Sequence, residues 1–285
     1  MSHQEARNTS IAFDMPYAEY AALPGLRASA VTRGRTSMLH MHHEITRERT
    51  SASNAMRWGT LMHWAILEYP VFLDGARVYN EGSKKTKGWR AHVEEHGAEI
   101  TMTGEEYDKL IRLHDRAWAD EAARPFLEFT HREIVVQWED ELGAGPCKAR
   151  LDGLHDHLGI TELKSAGQIE SRRFFNTGFD LGYHLKFGWY WEGLRLAQPD
   201  FGDIQVNVIC IEQTEPHAIV VYRVPHTIIE AGRDEAMKIA RRYRTCEQRG
   251  TFPGPASGVQ EYALPTWATG AEPVALQIDG EDVEV

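Results

Sequence analysis

The chain has 285 residues, 42% hydrophobic and 26% charged, with 8 Trp, 10 Tyr and 10 Phe, a composition that excludes disordered and collagen-like classes. At about 150 residues per domain, this length can bury one large core or two smaller ones. Against 42 Asp and Glu stand 31 Lys and Arg, a net charge of −11, so any nucleic-acid partner must be held by local basic patches.

Residues 17–26 and 28–43 read as helices separated by Pro24-Gly25. Over 55–68 the apolar residues Trp58, Leu61, Met62, Ala65 and Ile66 recur at three and four, predicting an amphipathic helix that carries His63 and is ended by Pro70. A basic loop with Lys84, Lys85, Lys87, Trp89 and Arg90 leads into helices over about 88–97 and 103–121, and Pro125 closes this section. The period then changes to two. Residues 134–138, 147–154 and 158–164 read as an antiparallel meander with turns at 143–146 and 155–157. Residues 183–196 form an aromatic-rich helix, 204–212 and 217–224 a strand pair, and 226–249 a long amphipathic helix. Pro253, Pro255, Pro265 and Pro273 predict an irregular strap with a frayed end. The expected fold is mixed α/β (α+β), in one domain: a mostly helical section over 1–125, a core over 126–250 and a strap over 251–285.

No apolar run reaches the roughly 20 residues of a membrane span, and the first residues lack the pattern of a secretory signal, so a cytoplasmic chain is expected. Cys147, Cys210 and Cys246 are odd in number and far apart, which argues against a disulfide framework, a Cys-only zinc site and four-cysteine iron–sulfur ligation. Neither a phosphate-binding GxxxxGK[ST] loop nor a GxSxG elbow occurs.

Chemistry concentrates on the meander. Glu162 and Lys164, two apart on a strand, project from one face, and a hairpin can bring Asp152 beside them. Two carboxylates and an amine at one spot suit a hard divalent cation and an attacking water, the needs of phosphodiester hydrolysis. The alternative is a turn aspartate beside an ordinary charge pair on a solvated face. Leu151, Ile160 and Leu163 are expected on the opposite, apolar face.

The residues Gly59-Thr60-Leu61-Met62-His63, Leu67-Glu68-Tyr69-Pro70, the basic loop Lys84-Lys85-Thr86-Lys87-Gly88, Lys148-Ala149-Arg150-Leu151-Asp152, Glu162-Leu163-Lys164-Ser165 and Tyr183–Tyr190 occur in this order. In that order they resemble the PD-(D/E)XK nuclease superfamily, and within it RecB-like exonucleases of the exonuclease VIII (RecE) type, from about residue 17 to Trp267. The resemblance implies a restriction-endonuclease-like core in which Asp152, Glu162, the Leu163 carbonyl and His63 hold Mg²⁺, with Mn²⁺ able to substitute. Lys164 would position the water, and Lys186 and Tyr190 would hold the phosphodiester. Two positions depart from the family pattern: Leu151 stands where a proline usually precedes Asp152, and Lys186 stands where a glutamine is usual. The implied activity is 5′ to 3′ digestion of linear double-stranded DNA, leaving 3′ single strands for phage-type recombination. A ring of three or four subunits, a single-strand annealing partner and a phage or prophage setting follow from the same resemblance.

Glu133 begins the first strand of the meander and is either an additional site residue or an ordinary strand-end carboxylate. For DNA, the 84–90 loop with Lys84, Lys85, Lys87 and Trp89 and the pair Arg172 and Arg173 are candidate contacts, each with a solvated face as the alternative. Lys238, Arg241, Arg242 and Arg244 on the last helix are read as a solvated face. His40, His42 and His43 are read as belonging to a surface or interface helix rather than a metal site. A DNA-end or single-strand binding module without catalysis, or an endonuclease with the same site, are the competing functions.

Overall fold

The structure, a computed structural model, describes residues 9–13, 15–47, 54–201 and 204–263 and the backbone of 275–278 and 281–284. Its first part runs β1 (Ser10–Ala12), α1 (Tyr17–Ala22), β2 (Leu26–Arg27), α2 (Ala28–Gly34), α3 (Met38–Thr46), α4 (Asn54–Leu67), α5 (Tyr69–Gly75), β3 (Arg77–Tyr79), α6 (Lys87–His96), β4 (Thr101–Thr103), α7 (Gly104–Ala119) and α8 (Arg124–Leu127). The second part runs β5 (His131–Asp140), β6 (Gly145–His155), β7 (Gly159–Ala166), α9 (Ser171–Asp180), α10 (Tyr183–Ala197), β8 (Val206–Glu212), β9 (Ile219–Val224), α11 (His226–Arg249), β10 (Ala275–Ile278) and β11 (Glu281–Glu284).

One seven-stranded mixed sheet organises the chain, in the order β1-β5-β6-β7-β8-β9, with β2 also pairing with β6. The expected meander β5-β6-β7 is antiparallel. β8 then joins β7 in parallel, which needs a crossover, and α9 with α10 supplies it. Helices cover both faces. In β8, Val206, Val208 and Cys210 enter a core with α10 and α11 residues such as Trp189 and Tyr243, while Ile209 and Ile211 enter a second core with Leu61, Met62 and Leu110. That period-two split is what a strand buried on both sides requires. It also corrects one expectation: Leu151 and Ile160 lie in the first core and only Leu163 in the second, because Ile160 has the same strand parity as Glu162 and Lys164.

Other differences have local causes. The helix expected over 28–43 is two, because the Ser37 hydroxyl accepts from the His40 N–H and starts α3 afresh. Pro70 does not simply end a helix but sits in the first turn of α5, where its missing N–H has no intrahelical role. Leu26 and Arg27 extend as β2 against Cys147 and Lys148, and α1 ends at Ala22. The three-residue strands β3 and β4 are too short to show a period, and α9 buries only Phe174 and Gly178, one turn apart on one face. Residues 251–263 carry no regular element, whereas β10 and β11 pair as an antiparallel hairpin where a frayed end is expected. Residues 264–274 of the predicted strap lie outside the described residues.

Helices α10 and α11 approach closely enough to exclude side chains. A Cβ on Gly188 would lie 2.0 Å from the Arg233 nitrogen, and one on Gly232 would lie 1.9 Å from the His184 oxygen. Both obstacles are backbone and cannot swing away. Gly232→Ala is therefore expected to cost about 2–3 kcal/mol of unfolding free energy, measured by urea denaturation, because the whole helix pair must separate.

Candidate active site

Strands β6 and β7 are paired only from Gly153↔Thr161 to His155↔Gly159. Towards the other end β6 takes β2 as its neighbour, at Cys147 and Lys148. The sheet thus forks just beyond Gly153, and the fork is where the charged residues gather. Asp152 takes over the lost ladder bond: its Oδ2 accepts from the Leu163 N–H at 2.8 Å. This fixes the carboxylate beside the Glu162-Leu163-Lys164 segment.

Glu133 stands on the other side of Asp152, between the register pairs Arg132↔Gly153 and Ile134↔Leu151. Its φ of 48° is left-handed, an uncommon backbone state for a residue with a side chain and one that costs energy to hold. The Arg150 Nε, 2.8 Å from Glu133 Oε2, anchors the side chain, and the Arg150 guanidinium in turn lies over the Tyr17 ring at 5.4 Å.

From α4, His63 reaches across to the fork. Its Nε2 is 2.9 Å from the Leu163 oxygen, and its Nδ1 is 3.5 Å from Asp152 Oδ1. A carbonyl only accepts, so Nε2 carries a proton. In the neutral ring, Nδ1 then presents a lone pair to a carboxylate oxygen, an arrangement that a cation between them would satisfy. Donor atoms of His63, Glu133 and Asp152 all lie within 4.8 Å of one another. Glu162 adds a buried Oε2 that has no hydrogen-bond partner among the described residues. The three donors of His63, Glu133 and Asp152 fit a hard divalent cation, while Glu162, a ligand by the resemblance, is not part of that group within 4.8 Å.

Glu162 is 2% exposed and shares its Oε1 between two ammoniums: Lys164 hydrogen-bonds to it, and Lys186 Nζ lies 3.7 Å away. Burial by itself would raise this carboxyl, but Lys164 and Lys186 outweigh burial and hold it at about 2. Burial likewise opposes the Lys164 charge, yet Glu162 and Asp152 keep it above the ordinary lysine range. Lys186 is shifted the other way, first by repulsion from Lys164 and then by burial. Burial and then Glu162 raise the Asp152 carboxyl. Glu133 is pushed up to about 8, by burial first and Asp152 next. The cluster is thus an excess of buried negative charge on its Asp152 side and a compensated pair on its Lys164 side. Tyr190, one turn from Lys186 on α10, is buried, and burial with Glu162 and Asp152 holds its hydroxyl well above the ordinary range, so it is a proton donor at neutral pH.

Of the residues singled out in the sequence, Asp152, Glu162, Leu163, Lys164, His63, Lys186 and Glu133 are thus brought to one fork, with Tyr190 facing it electrostatically. The Leu163 carbonyl is not open: it already accepts from His63 and, at 3.4 Å, from Lys164. The basic candidates lie apart, with no hydrogen bond or ion pair to the cluster among the described residues. Lys84 pairs with Glu106 at 2.5 Å, Trp89 packs edge-on against Tyr79, Arg173 faces Glu170 at 3.6 Å, and Lys85, Lys87 and Arg172 are exposed. In the last helix, Arg241 binds Asp140 and Arg244 binds the Ala144 carbonyl, so these two tie α11 to the β5–β6 turn rather than being merely solvated. His40 bonds to Ser37, and His42 bonds to Tyr243 while stacking on Phe252 at 3.7 Å. Sequence reasoning assigned no role to Arg150, Glu68 or Tyr183. Arg150 has Asp152's strand parity, a usable signal; Glu68 adds to the Glu133 shift, and Lys164 lies over the Tyr183 ring at 5.6 Å.

Among curated proteins, none matches the sequence. The fold is similar to that of a protein of Eubacterium rectale described as a "Putative exonuclease", with a TM-score of 0.58 at 12% identity over 90% of this chain and 96% of that one. A weaker likeness, to Rai1 of Scheffersomyces stipitis, has a TM-score of 0.24 at 13% identity over 86% and 77% of the two chains and carries no argument. Residues 34–264, which span the helical section from α3 onward and strands β5 to β9 of the sheet, match the model of the PDDEXK-like domain of unknown function (DUF3799). With Asp152, Glu162 and Lys164 standing at the fork in the order that the family's name spells out, the chain belongs to that PDDEXK-like family.

Proposed function

We propose that the chain is a metal-dependent deoxyribonuclease that hydrolyses phosphodiester bonds of linear duplex DNA from its ends. The observation that carries this reading is the joining of Asp152, Glu162, Lys164, His63 and Glu133 at one strand fork. His63, Glu133 and Asp152 would hold the divalent cation, Mg²⁺ or Mn²⁺, with Glu162 Oε2 as a further donor. A bound cation of this kind polarises a phosphoryl oxygen and lowers the pKa of water. The protein's own groups do the rest. Lys164, held as an ammonium, donates to Glu162 at rest and is placed to donate to the attacking water or a phosphate oxygen, so it orients rather than deprotonates. The Tyr190 hydroxyl and the Lys186 ammonium supply further donors for the developing phosphate charge.

The description of the Eubacterium rectale neighbour supports exonuclease rather than endonuclease action. The resemblance to RecE-type enzymes supports 5′ to 3′ polarity, 3′ single strands for recombination, a ring of three or four subunits, a single-strand annealing partner and a phage or prophage origin in a bacterial cytoplasm. Among the described residues no helix is long and apolar enough to cross a membrane. One observation favours a second reading, a DNA-end binding module: Lys164 and Lys186 already neutralise Glu162. Linear duplex labelled at its 5′ or 3′ end, digested beside a closed circle, decides between them. Stepwise release of the 5′ label from linear DNA is expected; nicking of the circle would indicate an endonuclease, and tight binding without cleavage would establish the binding module.

Lys186 allows a separate check. Its ammonium adds positive charge 3.7 Å from Glu162 Oε1, where a cation must also be accommodated. Lys186→Gln is expected to tighten Mg²⁺ or Mn²⁺ binding by about 3- to 10-fold in a calorimetric titration, a change on the scale of one screened charge removed from a partly buried site.

A further inference from the structure

The segment ahead of α2, residues 10–13 and 15–27, grips the strands of the site from two sides, and it precedes the stretch matched by the family model. β1 pairs with β5 at Ala12↔Val135, the Phe13 ring lies 4.3 Å from the His131 ring, and β2 pairs with β6 at Cys147 and Lys148. The first two contacts bracket Glu133, two residues to either side of it. A left-handed φ of 48° at a residue with a side chain persists only where the surroundings over-determine it. For the Glu133 backbone, the bracket does this.

For the Glu133 side chain, α1 does it. Lys148, Arg150 and Asp152 alternate along β6 and share one face, each about 6.8 Å from the next. Tyr17 and Tyr20 on α1 turn their rings to the first two of this row: Lys148 Nζ lies 5.0 Å from the Tyr20 ring centre, and the Arg150 guanidinium 5.4 Å from that of Tyr17. The two rings are 6.1 Å apart, close to the spacing of the row beneath them. Lys148 also donates to the carbonyls of Tyr20, Ala21 and Leu23, which fastens the end of α1 to β6. A guanidinium can lie flat on an aromatic face while its N–H edge meets a carboxylate. Arg150 does both, with its Nε 2.8 Å from Glu133 Oε2.

We propose that Tyr17 and Arg150 are positioning residues of the metal site: the Tyr17 ring fixes the plane of the Arg150 guanidinium, and the guanidinium holds Glu133 where it meets a divalent cation shared with His63 and Asp152. The metal-site reading of the fork underlies this assignment, which adds to it two residues that touch no cation and tie cation affinity to α1.

The test is calorimetric titration of the full chain with Mn²⁺, without DNA. Arg150→Lys keeps the positive charge beside Glu133 and removes the planar fork, and it is expected to weaken Mn²⁺ binding about tenfold. Tyr17→Leu changes no charge and is expected to weaken it about threefold or more, while Tyr17→Phe, which keeps the ring face, should recover that loss. Because Tyr17 acts through Arg150, the double variant should bind no more weakly than Arg150→Lys alone. Losses that multiply would show a packing role independent of Arg150 and overturn the proposal, as would wild-type affinity in Arg150→Lys. Metal-free melting curves check that each variant is folded at the titration temperature; should Tyr17→Leu not fold, Arg150→Lys decides. Wild-type Mn²⁺ affinity in Arg150→Lys leaves the nuclease reading standing, whereas a wild type that binds Mn²⁺ and never cleaves DNA removes the nuclease reading and leaves the positioning role intact.

Discussion

Lys164→Ala is expected to lower cleavage of linear duplex DNA by about 10³-fold or more, while DNA affinity stays within about threefold of wild type. Lys164 is half-buried at the fork, hydrogen-bonded to Glu162 and within 3.4 Å of the Leu163 carbonyl. Its ammonium is stabilised by Glu162 and Asp152, so at neutral pH it has protons to donate and no lone pair to accept one. Truncation removes the one donor shared between the attacking side and Glu162. It also leaves that 2%-exposed carboxylate with Lys186 as its remaining charge partner, so some loss of stability accompanies the loss of turnover. Binding is carried by other surfaces and survives. Rapid-quench assays paired with equilibrium binding on the same substrate separate the two effects, and equal losses in both would contradict the assigned role.

Glu133→Gln is expected to act on stability as well as on metal binding. The Glu133 carboxyl is pushed up to about 8 in the folded chain by burial, Asp152 and, more weakly, Glu68 and Glu162, with Arg150 offsetting part of that rise. In the unfolded chain it ionises in the ordinary glutamate range, near 4.3. The folded protein therefore holds a proton that the unfolded chain has released across this window. By linkage, the stabilising contribution is complete below the lower value and is lost as pH rises through the upper one. Without metal, wild type should lose thermal stability between about pH 5 and pH 8 through this group, and Glu133→Gln should remove that loss. At pH 8.5 the variant is expected to melt about 3–5 °C above wild type. At pH 5 the two should nearly coincide. Saturating Mg²⁺ should reverse the order at high pH, because wild type gains about 2–3 kcal/mol from ligand at 100 times its dissociation constant and the variant gains less. Metal binding by wild type should also release protons and tighten as pH rises towards 8. A pH-independent difference between the two melting temperatures would remove Glu133 from the cluster.

Much of this site was legible in the sequence because strand parity is a strong constraint. Glu162 and Lys164 had to share a face, and a short turn at 155–157 had to return the chain so that Asp152 approached them. What parity cannot show is where pairing stops. The fork arises because β6 exchanges β7 for β2 as its neighbour, and β2 is two residues long with no period to read. Ile160 is a different case, since its parity with Glu162 and Lys164 on β7 was already readable and places it on their side of the strand. Glu133 was visible only as a carboxylate at a strand start; its left-handed backbone and its pairing with Arg150 depend on contacts across the sheet. Lys186 shows the opposite case. Its one-turn spacing from Tyr190 was evident, but its lowered basicity comes from Lys164 on another element. In the basic loop the sequence could not show that Lys84 pairs with Glu106, a residue more than twenty positions away, while Lys85 and Lys87 stay exposed.

The most direct measurement of the central claim is digestion of linear duplex DNA by wild type and by Asp152→Asn, each with Mg²⁺ and with EDTA. The substitution keeps the size of a side chain whose carboxylate accepts the Leu163 N–H and faces His63. Cleavage is predicted only for wild type with Mg²⁺. Equal digestion in EDTA, or by Asp152→Asn, would show that phosphodiester hydrolysis does not occur at this fork.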